Sequence, residues 1–243
     1  GHTGQAGRRQ FAGSFAKFVA IDTPTRYRQC SSHQHARGMA VLDLVTALVL
    51  WSSATATVAV VLFVVWWRNR EFSASLWWSG AFALMSAGRL LLALRGQVPD
   101  LLAIEVAIAL SLTGFALSLT GFSVLDRLRP RPWFLLPLAL WILGCLTPVF
   151  TASGSFRIAL AHGTAALAYL LHVAVLRRAG RRSPARRWLT QIFWFAAGLN
   201  LISLSLAVLS PPADFFSYRF AAFALIAGLA ALVATVIAGA CLL

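Results

Sequence analysis

Seven apolar runs, each near the length of a bilayer crossing, constrain this chain more than any other feature. They cover residues 39–67, 73–94, 101–125, 133–150, 155–176, 188–209 and 215–243. The hydrocarbon core of a bilayer takes roughly 20 helical residues to cross. Backbone N–H and C=O groups find no water there, so only helices and closed barrels cross it. These runs are too long and unbroken for strands. The expected fold is therefore all-α, a polytopic seven-transmembrane helix bundle over residues 39–243.

Composition agrees. The 243 residues are 59% hydrophobic and 12% charged, with a mean hydropathy of +0.77, whereas soluble domains are nearer about 25% charged. The net charge of +14 would point to nucleic acid in a soluble protein. Here the charges sit between apolar runs, where membrane topology accounts for them, so no nucleic-acid partner is expected. Lys17 is the only lysine among 21 basic residues, a bias that suits a GC-rich bacterial genome. The three cysteines, Cys30, Cys145 and Cys241, are far apart and suit neither a disulfide framework nor a metal site.

Loop charge sets the expected orientation. Arg68 and Arg70 follow the first run, and Arg127, Arg129 and Arg131 the third; Arg177, Arg178, Arg181, Arg182, Arg186 and Arg187 follow the fifth. The opposite connections carry Arg95, with Arg157 and Arg219 just inside the following runs. Positive loops stay cytoplasmic. The N-terminus of the bundle is then outside and its C-terminus cytoplasmic, in a bacterial inner membrane. Residues 1–38 fit this poorly, being basic, without sustained apolar periodicity, and on the wrong side for their charge. They read as a non-native or unprocessed extension, disordered or loosely helical, with Met39 as a natural start. His33 and His35 have no second ligand pair nearby, so no metal is expected. The last run stops without a polar flank, which points to a further domain beyond Leu243.

Charges inside the runs are the candidate chemistry. Arg89 lies six residues before Arg95, and Glu105 five after Asp100, so both sit about 8 Å below one turn. A charge at such depth usually faces the bundle and pairs. The two are either a structural ion pair locking a helix hairpin or part of an outward-opening ligand pocket. Arg157, His162 and Tyr218 fall in the same outward half, and Asn200, about nine residues below Ser210, lies near mid-membrane. Trp78, Phe82, Met85 and Arg89 share one face of the second run, either lining a small-ligand cavity or simply packing. His162 and His172 are ten residues apart, about 15 Å along a helix, too far to share a metal; a backbone or solvent partner is expected for His172. Small residues at Gly80, Ala81, Gly88, Gly114, Gly121 and Gly198 suit close helix contacts.

No apolar run contains a lysine for a Schiff base, and no G-x-S-x-G, H-E-x-x-H, Walker or G-x-G-x-x-G motif occurs. Paired intramembrane aspartates are missing too. No catalytic residue, metal or cofactor is assigned.

Trp77-Trp78-Ser79-Gly80-Ala81-Phe82, then Gly88 and the turn Arg95-Gly96-Gln97-Val98-Pro99, resemble the membrane-embedded N-terminal input region of bacterial diguanylate cyclases. Gly114-Phe115 in the third run and the basic loop Asp126-Arg127-Leu128-Arg129 extend the likeness. In such proteins a cyclase domain follows the last helix; this chain has no G-G-[DE]-E-F signature. The resemblance implies a sensory module, not itself an enzyme, that relays an extracytoplasmic or intramembrane signal to a cytoplasmic output domain. Its partners would be the bilayer, an unknown small ligand, a second copy in a homodimer, and a signalling domain C-terminal to Leu243. A small-solute transporter or permease, with Pro137 and Pro148 interrupting the fourth run, is the alternative; a structural membrane subunit without ligand is the third.

Overall fold

In the computed structural model of the chain, residues 24–178 and 183–209 are described, with side chains from Val45 onward. Contacts divide the chain into units 1–42 and 43–243, and all packing that follows lies within the second. The elements are α1 (Pro24–Arg68), α2 (Ser73–Ala93), a π-helical turn (Leu101–Val106) continuous with α3 (Ala107–Leu125), a 3-10 turn (Pro132–Leu135), α4 (Leu136–Cys145), α5 (Pro148–Ala152), α6 (Gly154–Arg178) and α7 (Pro184–Leu209). Among the described residues the protein is all-helical, without strands. Among the described residues, five helices are long and apolar enough to cross a membrane: Val45–Arg68, Ser73–Ala93, Leu101–Leu125, Gly154–Arg178 and Pro184–Leu209.

The helix ends have local causes. Arg68 closes α1, and Arg177 and Arg178 close α6, where cations meet the negative end of the helix dipole. Gly96, at φ 86°, makes the turn after α2. Ser153 Oγ accepts from Phe156 N–H at 3.3 Å and Ser183 Oγ from Arg186 N–H at 3.3 Å, capping α6 and α7. The fourth apolar run, expected as one helix over 133–150, is instead broken after Cys145. Thr147 is extended (φ −82°, ψ 140°) because the ring of Pro148 excludes the helical conformation from the residue before it. The seventh run lies outside the described residues.

The outer surface is apolar as well as the core. Val60, Phe63, Trp67, Leu143, Trp188 and Leu209 are exposed, while Ser52, Ser86, Ser118, His172, Asn200 and Ser203 are buried. Large exposed apolar surface over a polar-laced interior is the distribution expected in lipid, where close packing and hydrogen bonds hold helices together. Ser52 Oγ donates to Ser86 O at 2.9 Å, Ser86 Oγ donates to Ser52 O at 2.8 Å, and Ser79 Oγ donates to Ala59 O at 2.8 Å, joining α1 to α2. In the seam between α2 and α3, a Cβ on Gly114 would lie 2.7 Å from Ala81 O, and one on Gly88 would strike Ala107 O. A Cβ on Gly80 would meet Leu117 of α3 at 3.5 Å, an ordinary contact, whereas one on Gly198 would meet nothing within 4 Å among the described residues.

These contacts place the helix ends. The end of α1, the start of α2, the end of α3, Trp133, the end of α6 and the start of α7 share one end of the bundle. The turn after α2, Phe150, the start of α6 and the end of α7 share the other.

Candidate functional site

The outward residues anticipated from sequence are arranged around three contacts. In the first, Arg89 of α2 lays its guanidinium 3.7 Å from the ring centroid of Trp51 on α1. Its Nη1 is buried with no hydrogen-bond partner. The ion pairs among the described residues are Arg95 with Asp100 at 3.6 Å and Arg186 with Asp126; Arg89 with Glu105 is not among them. Glu105 belongs to the π-helical turn, and its carbonyl accepts from Trp141 Nε1–H of α4 at 3.0 Å. Equal depth, the basis of the expected pairing, does not fix azimuth.

The second contact is at the start of α6. Arg157 lies 5.7 Å from the Phe150 ring centroid, and its Nε is buried without a hydrogen-bond partner. Phe150 packs edge-on against Trp141 at 5.5 Å, which connects Arg157 to the Glu105 turn. In the third, His162 Nδ1–H donates to Asn200 Oδ1 at 3.0 Å, bridging α6 and α7. Asn200 Nδ2–H donates to Ala196 O at 2.8 Å, which fixes the orientation of the amide. Tyr218, with Asp214 and Arg219, lies outside the described residues.

Below these contacts is a closed aromatic core. His172 is buried; its Nδ1–H donates to Ala168 O at 2.8 Å, and the Ser118 hydroxyl is 3.2 Å from Nε2. The backbone partner expected for it is therefore present. Phe115, Phe122 and Phe193 surround the ring at 5.8, 5.9 and 4.8 Å. Trp78 packs on Phe122 at 5.2 Å and Met85 is buried against Gly114, so both are packing residues. Arg89 is the charged member of their face.

Trp51, Tyr169 and Trp141 were not singled out from sequence. Trp51 had a signal: it stands one residue from Ser52, at the depth that two antiparallel helices share with Arg89. Among the described residues no group of three or more His, Cys, Asp or Glu converges to hold a metal. Comparison with known protein families, with curated proteins and with solved structures finds no match to the chain.

Proposed function

We propose that this chain is the sensory input module of a signalling protein in a bacterial inner membrane. Seven helices would cross, with the N-terminus outside and the C-terminus cytoplasmic. A small ligand would act on the outward half, and the last run, 215–243, would pass the change in packing to a cytoplasmic output domain. On the resemblance noted above, that domain is a diguanylate cyclase, and the working unit a dimer. Any catalysis belongs to the output domain.

The observation that carries this reading is Arg89. A guanidinium inside a membrane span costs about 2.5–3.5 kcal/mol on insertion scales, and such residues are usually paired or functional. Arg89 has an indole under one face, no ion pair among the described residues, and a buried Nη1 without a hydrogen-bond partner, which leaves that N–H group for something else. Its neighbour Tyr169 reaches the aromatic core through Phe115 at 4.9 Å and Phe193 at 6.1 Å. A ligand that prefers one packing of that core over another would shift the balance between them.

The crossing count is supported by the broken fourth run. Arg178 lies over Trp133 at 5.5 Å and Arg157 over Phe150 at 5.7 Å. The run therefore extends alongside α6 from one end to the other, about 30 Å at 1.5 Å per residue, the thickness of a bilayer core. The concentration of arginine at one end supports the orientation. The break at Thr147 favours a second reading, a small-solute permease, since transporters build sites at interrupted helices.

The test is the reading frame beyond codon 243 together with flux. A signalling domain in frame is the expected result. A frame that stops there, with Arg89-dependent solute uptake into liposomes, would replace the sensor with the permease.

A further inference from the structure

The basic end of the bundle holds more than topology requires. Arg127, Arg129, Arg131, Arg177, Arg178 and Arg187 are all exposed and form no ion pair among the described residues. Asp126, one of two acids at that end, is taken by Arg186, in a pair whose side chains are 3% and 14% exposed. That pair has a geometric consequence. It ties the end of α3 to the start of α7, and so brings Arg127 and Arg187, the next residues in each, to one rim. Arg178 joins them, held 5.5 Å from the ring of Trp133, which follows the 126–131 loop. Arg177 is held similarly, 5.5 Å from Trp194.

Indole rings settle at the boundary between hydrocarbon and headgroups. A guanidinium laid over one is kept at headgroup depth rather than extended into water. The result is a rim of planar, permanently charged donors, suited to bidentate contact with phosphate oxygens. Mutual repulsion among them is relieved by an anionic surface and not by a zwitterionic one. We propose that the rim formed by residues 126–133, the end of α6 and the start of α7 is a docking surface for anionic phospholipid headgroups, with Arg127, Arg178 and Arg187 facing the phosphodiester. The proposal rests on the membrane reading above but not on the sensory one.

The test uses the full chain in nanodiscs of phosphatidylcholine alone or with added phosphatidylglycerol, followed by native mass spectrometry of retained lipid. Wild type should retain phosphatidylglycerol over phosphatidylcholine by on the order of a hundredfold, roughly fivefold from each of the three arginines. The R127Q/R178Q/R187Q variant should lose most of that preference while keeping its helical circular dichroism and its melting temperature in phosphatidylcholine discs. Equal retention by wild type overturns the proposal and leaves the membrane reading standing; failure to enter either disc sinks the membrane reading itself. Inorganic phosphate that raises the wild-type melting temperature in phosphatidylcholine discs as much as phosphatidylglycerol does would assign the rim to soluble anions instead. Should the triple variant fail to fold, those wild-type measurements still decide.

Discussion

The two ends of the bundle handle arginine in opposite ways. At the basic end Arg186 is buried against Asp126, and the other arginines are exposed or rest on indole rings. At the far end Arg89 and Arg157 each keep a buried nitrogen without a hydrogen-bond partner and rest on aromatic rings, with no ion pair among the described residues. One end pairs its buried cation with an acid, although Asp126 Oδ2 and Arg186 Nη1 also lack a hydrogen-bond partner, and leaves the remaining arginines exposed. The other holds charge inside apolar surroundings with its donors unfilled. A bundle built only for stability would have little reason for the second arrangement.

The contrast can be broken most forcefully at the basic end. Asp126→Leu should destabilise the protein by about 3–5 kcal/mol, because it leaves Arg186 buried and unpaired. Adding Arg186→Leu should recover most of that, read as unfolding in detergent followed by circular dichroism. If the double variant is as unstable as the single, the pair is not the clasp described here. Between the ends, Gly88→Val should cost about 1–3 kcal/mol by forcing α2 from α3 at Ala107; a neutral outcome would mean the seam is looser than its geometry. The smallest effect sharpens the far end. Arg89→Leu and Trp51→Leu should couple by about 0.5–2 kcal/mol in a double-mutant cycle, whereas Arg89→Leu and Glu105→Leu should be additive within about 0.5 kcal/mol. Coupling to Glu105 in place of Trp51 would restore the ion pair expected from depth alone.

Much of the fold was legible because lipid leaves few choices. Apolar runs 73–94, 101–125, 155–176 and 188–209 each became a helix within a few residues of the expected limits. The fourth run was not, because two prolines look alike in sequence. Pro137, in the first turn of α4, is harmless, whereas Pro148 stands where a helix would need to continue. Site residues were partly legible: depth brought Arg89, Arg157 and His162 to one half of the bundle and Asn200 near its middle, but not to their partners. Pairing depends on azimuth, and azimuth around α3 is reset by a turn that no residue pattern announces. The clasp between Asp126 and Arg186, 60 positions apart, was hidden for a different reason, since each residue stands among arginines that look equivalent.

That reset has a genetic side. A π-helical turn holds one more residue than the α-helical turn it replaces, so Leu101–Val106 is how a single inserted codon would look after folding. Removing one residue there would restore a regular helix and leave Gly114 and Gly121 opposite the same partners on α2. The cost would fall on the outer tip alone, where Glu105 would swing to a new bearing and Trp141 would lose its acceptor. Indels in this gene are therefore expected to be tolerated at the mouth of the helix and rejected further down, where the glycine seam with α2 fixes the register.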